Sequence, residues 1–152
     1  MDNSVKAVIS LVAAVRDRAN AFIARRLAQR GLKDMAPAHG SVFYGLFDGN
    51  ELTMGEMATR IHRDKSTVTT LVDKLAALGY VEKAKSVSDA RVTHVRLTEE
   101  GQDLKPVFDE ISHELLHTVY EGFSPEERYM LVRLLQRMID NFDGTGQDER
   151  GR

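Results

Sequence analysis

The sequence has no cysteine and no tryptophan among its 152 residues, and only three prolines. Without cysteine there are no disulfide staples, no thiolate metal sites and no thiol nucleophile or redox sensor. No run of about 18 apolar residues occurs, so no membrane-spanning helix is expected. The opening Met1-Asp2-Asn3-Ser4 lacks a basic segment, so no secretory signal is expected and the expected location is the cytoplasm. A strongly basic total, the usual footprint of a nucleic-acid binder, is missing as well: the formal net charge is −2.

What the chain has instead is segregated charge. Residues 59–97 carry eight basic and four acidic side chains, whereas residues 98–152 carry six basic and thirteen acidic ones. A positive block inside an acidic protein can meet a polyanion while the rest stays clear of it. Charged residues at 29% and apolar ones at 42% place the chain with folded soluble domains rather than disordered ones, and its length suits one domain.

Apolar residues recur at three- and four-residue steps from Val5 through Leu27, which predicts one long amphipathic helix over 4–30, stopped by Gly31. A shorter helix over 36–47 has Pro37 in its first turn and a stripe of Val42, Phe43, Leu46 and Phe47. Thr53-x-x-Glu56 has capping-box form and predicts a helix to about Ile61. Asp64 can cap the next one, which buries Val68, Leu71, Val72 and Leu75 and ends at Gly79. Residues 80–83 and 92–97 read as two short strands around a polar tip, Ser86 to Arg91. Thr98 starts a further helix to Gly122 that Pro106 kinks or restarts, and Ser124-Pro125-Glu126-Glu127 opens the last.

Two short helices with a tight joint, followed by a hairpin, describe a winged helix-turn-helix. The expected fold is mainly α, with a two-stranded β wing and long terminal helices. Residues 35–98 form the DNA-binding domain, 1–34 and 99–143 a helical dimerisation region, and 144–152 a flexible tail. The terminal helices carry apolar stripes with no obvious partner inside one chain, so a twofold homodimer is expected. Its two reading helices would lie about 34 Å apart on a pseudo-palindromic operator in double-stranded DNA.

With Val68, Leu71, Val72 and Leu75 facing inward, Ser66, Thr69, Thr70 and Asp73 project outward, with Thr67 and Lys74 at the flanks. Short hydroxyl side chains allow close approach to base edges or phosphates. Arg63, Lys65 and Lys74 suit phosphates, which position without reading sequence, and Lys85 adds a cation on the wing. Arg91 at the hairpin tip suits a minor groove, with Asp89 orienting it or holding the turn. Taken alone, each of these could equally be a solvated surface residue.

Thr53 through Gly101 resembles the DNA-binding region of the MarR family of bacterial transcription regulators. The resemblance rests on Leu52-Thr53 with Glu56-Met57-Ala58, on Lys65-Ser66-Thr67-Val68-Thr69, and on Val72-Asp73-Lys74-Leu75 with Leu78-Gly79-Tyr80-Val81. Its most specific part is Asp89-x-Arg91 followed by Leu97-Thr98-x-x-Gly101. Ala90 stands where the family usually has a basic residue, which leaves one wing contact absent or weaker. The resemblance implies a repressor that occupies a promoter and is released by a small aromatic or anionic effector bound near the dimer helices. Phe22, Phe43, Tyr44 and Phe108 are the candidate lining of such a crevice, and equally candidate core. No cofactor and no enzymatic activity are implied.

One motif points elsewhere. His113-Glu114-Leu115-Leu116-His117 matches the zinc-peptidase pattern H-E-x-x-H, two histidines on one helical face with a glutamate to activate water. No extended third-ligand motif follows it. The alternative it supports is a zinc-dependent hydrolase or a zinc-responsive regulator, against the plainer reading of surface or interface histidines. His39, His62 and His94 are scattered and read as structural or solvated, with His62 and His94 able to touch phosphate when protonated.

Overall fold

Helix starts are set locally by the caps. Glu56 N–H donates to Thr53 Oγ1 at 3.1 Å, and Thr53 N–H donates back to Glu56 Oε2 at 2.8 Å. Thr67 N–H reaches Asp64 Oδ1 at 2.8 Å, and Gly101 N–H reaches Thr98 Oγ1 at 3.1 Å. Each bond satisfies an amide that a first helical turn leaves unpaired.

The computed structural model describes residues 3–148. In chain order the elements are α1 (Asn3–Lys6), α2 (Val8–Gln29), α3 (Pro37–Leu46), β1 (Leu52–Thr53), α4 (Met54–Arg60), α5 (Lys65–Ala77), β2 (Val81–Lys85), β3 (Thr93–Leu97), α6 (Glu99–Gln102), α7 (Lys105–Val119) and α8 (Pro125–Asp148). This is a mainly helical winged helix-turn-helix. The three strands form an antiparallel sheet in the order β1-β3-β2. Val81 pairs with Leu97 and Lys85 with Thr93, while Leu52 faces Val95 from the other side.

Two expectations are corrected and one is made specific. The helix expected over 4–30 is divided at Ala7, whose N–H turns to Ser4 O at 3.3 Å in a tighter three-residue step. Of the kink or restart expected at Pro106 between Thr98 and Gly122, the structure has the restart. Leu104 N–H bonds to Gly101 O, and α7 restarts with Pro106 in its first turn, where the missing amide proton costs nothing. The wing has a third strand, β1, too short to leave a period in the sequence.

Up to Leu115 the chain forms one compact unit. Its core holds Leu27, Val42, Phe43, Leu46, Met57, Val68, Val72, Leu75 and Val95, all fully buried. Phe43 stacks on Phe108, ring centroids 4.6 Å apart. Fully burying side chains of this size is worth about 1.5–3 kcal/mol each, so this cluster sets the orientation of α5 and the wing. Gly101 is required by close approach: a Cβ there would stand 2.1 Å from Tyr80 O. Gly79 takes φ +82° just past α5, the left-handed turn that swings the chain into β2.

Residues from Leu116 form a second unit, made of the end of α7, a turn and α8. Ser124 N–H donates to Glu127 Oε2 at 2.8 Å and Glu127 N–H to Ser124 Oγ at 3.2 Å, the reciprocal cap read from the sequence. Helix α8 continues to Asp148, past Gly144 where the sequence places the start of a tail; residues 149–152 lie outside the described residues. Among the described residues no helix is long and apolar enough to cross a membrane.

Candidate nucleic-acid interface

Helix α5 presents two unlike faces. Val68, Leu71, Val72 and Leu75 are buried, while Lys65, Ser66, Thr69, Thr70, Asp73 and Lys74 are exposed and Thr67 is half-buried. The joint with α4 is tight: His62 takes φ +54°, a left-handed conformation unusual for a residue with a side chain. His62 and Arg63 are both exposed at this turn.

The N-terminal end of α5 is organised by Asp64. Its Oδ1 accepts from Thr67 N–H and from Ser66 Oγ at 2.7 Å, and its Oδ2 accepts from Thr67 Oγ1 at 3.1 Å. These bonds, led by the Thr67 amide, hold the Asp64 carboxyl down to about 2. Thr69 Oγ1 donates to Lys65 O at 2.9 Å, and Thr70 Oγ1 to Ser66 O at 3.1 Å. Lys65 reaches across to α4, its Nζ 3.7 Å from where a Cβ on Gly55 would stand.

The wing is fastened beside this helix. Lys83 Nζ of β2 donates to Asp73 Oδ1 of α5. At the wing base Arg96 Nε donates to Glu82 Oε1 at 2.6 Å and Arg96 Nη1 to Glu51 Oε1 at 3.2 Å, tying β3 to β2 and to the residue before β1. At the tip Asp89 accepts from Arg91 three times: from the backbone N–H at 3.0 Å, from Nε at 3.1 Å and from Nη2 at 3.2 Å. The Arg91 guanidinium, its largest influence, draws the Asp89 carboxyl below its ordinary range. The Arg91 side chain is nonetheless 90% exposed. Lys85 Nζ donates to Ala90 O at 3.2 Å, bracing the same loop.

Arg63, Lys65, Ser66, Thr67, Thr69, Thr70 and Lys74 thus lie on α5 or the turn before it, and Lys85, Asp89 and Arg91 on the wing that β2 fastens to it. The sequence reading passed over Lys83. Its signal was the two-residue spacing from Lys85, which puts both on one face of a strand. Two further histidines of this unit are at least half-buried. His39 Nδ1 accepts Ala36 N–H at 2.8 Å at the start of α3; burial first, then the Lys74 charge, lowers its pKa. His94 is half-buried in the central strand, between Thr53 and Ala84.

A second feature is a half-open cleft of about 160 Å³ lined by Ile23, Tyr44, Phe108, Ile111, Ser112 and Leu115 among others. Tyr44 Oη donates to Phe108 O, and burial, its largest influence, raises the phenol's pKa. Of the four aromatics expected at a crevice, Tyr44 and Phe108 meet here. Phe43 lies in the core behind Phe108, and Phe22 carries the Arg26 guanidinium 4.8 Å above its ring.

The zinc-hydrolase alternative is overturned at its glutamate. Arg30 Nη2 donates to Glu114 Oε1 at 2.9 Å, and Arg26 Nε stands 2.7 Å from Glu114 Oε2 as a charge contact. Both carboxylate oxygens of Glu114 are thus engaged by arginines, Oε1 by Arg30 and Oε2 by Arg26. His113 and His117 are exposed, and among the described residues no group of three candidate ligands could hold a metal ion.

Comparison with known proteins agrees with this geometry. A family model described as the MarR family matches residues 33–92. The HTH-type transcriptional regulator SarZ of Staphylococcus haemolyticus is 32% identical over 107 residues, covering 68% of this chain and 70% of that one. A crystal structure of a mutant MarR from Escherichia coli complexed with operator DNA matches 90% of this chain and 96% of its own, with TM-score 0.77 and 20% identity. A structure of Bordetella bronchiseptica BpsR, concerned with regulation of its DNA binding by 6-hydroxynicotinic acid, matches 88% of this chain and 93% of its own, with TM-score 0.77 and 22% identity. At these identities the two structures establish a shared fold.

Proposed function

We propose, for a chain that belongs to the MarR family of DNA-binding transcription regulators and is therefore not an enzyme, a homodimeric repressor that occupies a pseudo-palindromic operator and is released by a small aromatic or anionic effector. One observation carries the DNA-binding part. The Asp73–Lys83 ion pair sets the wing, with Lys85 and the exposed Arg91, beside the outward face of α5. A helix of this width suits the major groove and a single arginine suits the adjoining minor groove. The cations Arg63, Lys65, Lys74 and Lys85 suit phosphates, and we assign the protein to the cytoplasm, where it would meet DNA.

Dimerisation is supported by surface chemistry at both ends of the chain. Val5, Val8, Ile9, Leu11, Val12 and Val15 are exposed at the N-terminal end. Helix α8 exposes Tyr129, Met130, Val132, Leu134, Ile139 and Phe142. Patches of this kind mark interaction surfaces. We assign residues 1–34 and 99–143 to the dimerisation region and 35–98 to the DNA-binding domain. The cleft supports the effector. Apolar cavities of about 150 Å³ hold one aromatic ring, and this one, beside the α3–α7 contact of Tyr44 with Phe108, is of that size.

Footprinting on the protein's own upstream DNA, with and without phenolic acids, tests the proposal. The expected result is a protected site with twofold symmetry whose occupancy falls at raised salt and in the presence of an effector. Binding equal to that of random DNA would overturn it.

A further inference from the structure

The hydroxyls on the outward face of α5 have no proton left to offer. A hydroxyl carries one proton. All four hydroxyl protons here are committed inward: Thr69 to Lys65 O, Thr70 to Ser66 O, and Ser66 and Thr67 to the Asp64 carboxylate. The Asp64 bonds are charge-assisted and the strongest of the set. What remains outward is lone pairs and threonine methyl groups, followed one turn on by the acceptor-only carboxylate of Asp73, itself held by Lys83. No arginine, asparagine or glutamine stands on the exposed face of α5. Of its two lysines, Lys65 is drawn over Gly55, and Lys74 stands in the last turn, four residues beyond Thr70.

In the major groove guanine presents two adjacent acceptors, N7 and O6, and is normally met by arginine or lysine. Adenine presents an amine at N6, and thymine a C5 methyl group. We propose that α5 reads A·T pairs: Thr69 and Thr70 accept the adenine N6 proton through their hydroxyl oxygens and pack their methyls on thymine methyls, while guanine goes unrecognised. The cytosine amine is met in the same way. Its partner guanine, however, brings two acceptors to a face whose hydroxyl protons are already engaged, and the pair has no methyl group. This inference rests on the DNA-binding reading and adds to it the base edges that the helix selects.

The test uses the full-length protein and the footprinted operator. At each A·T pair under α5, thymine is replaced by uracil, which removes only the methyl, or adenine by purine, which removes only the amine. Each deletion is expected to weaken wild-type binding about two- to tenfold, the range of one lost contact. Thr69→Val and Thr70→Val keep the methyl and drop the oxygen. They are expected to become indifferent to the missing amine while still sensing the missing methyl. Thr69→Ser and Thr70→Ser are expected to show the reverse, and circular dichroism confirms that each variant is folded. Half-sites centred on guanine, with binding lost when 7-deazaguanine is introduced, would overturn the inference and leave the regulator reading intact. So would unchanged affinity on both deletions. A failure to prefer any sequence over random DNA would overturn the regulator reading itself.

Discussion

Helix α5 and the N-terminal end of the chain carry the same signal and meet opposite fates. Both repeat apolar residues at three- and four-residue steps. In α5 that face is sealed: Val68, Val72 and Leu75 have no exposure at all. Over α1 and the first half of α2 it lies open, with Ile9 at 61% and Leu11 at 60% exposed. A period says that a face is to be covered, and not by what. In α5 the cover comes from α4, α3 and β2 of the same chain. At the N-terminal end we assign it to a second copy.

The largest expected effect sharpens the sealed side. Leu75→Ala leaves a cavity in a filled core and is expected to cost about 2–5 kcal/mol, measured by urea unfolding, by the same amount at every protein concentration. A loss that varied with concentration would break the contrast between the two helices.

Val12→Asp tests the open side. It is expected to leave the far-ultraviolet helical signal in place while shifting the protein from dimer to monomer in sedimentation. Operator affinity should fall by at least about tenfold, because two half-sites are no longer linked. A variant that stays dimeric would move the interface away from this end of the chain.

Arg91→Ala separates reading from folding. Its side chain is 90% exposed, so the melting temperature should hold while DNA affinity at fixed salt drops severalfold. Unchanged affinity would remove the wing from the mechanism.

The smallest effect concerns the cap of α5. Asp64 has its carboxyl lowered from 3.8 to about 2 by bonds formed only in the folded state. The cap's contribution is therefore fully present above pH 3.8 and is lost as pH falls through about 2. Amide exchange at Thr67 is expected to quicken across that window. Asp64→Asn, which keeps an acceptor without a titrating charge, should flatten the response.

Much of the winged region was legible because its signals are local. Thr53, Asp64, Thr98 and Ser124 each cap within three residues of themselves, and Asp89 meets Arg91 two residues away. Less local features were not. The Asp73–Lys83 bond spans ten residues and Arg30–Glu114 spans 84, so no window along the chain contains their cause. The same holds for β1, whose two residues are a strand only because Val95 and His94 lie opposite. His113-Glu114-x-x-His117 shows the converse: its helical spacing is visible in the sequence, but the Arg26 and Arg30 that surround Glu114 come from 84 or more residues away.

By itself the sequence determined where helices begin, which faces are apolar, and that short polar side chains and one arginine tip stand beside a positive block, since caps and periods act over a few residues. Only the tertiary structure decided that Lys83 holds Asp73, which cations remain to face outward, and that the tempting glutamate is already held. Those outcomes depend on which side chains the folded chain brings within about 3 Å of each other, a distance at which hydrogen bonds and charge contacts take hold.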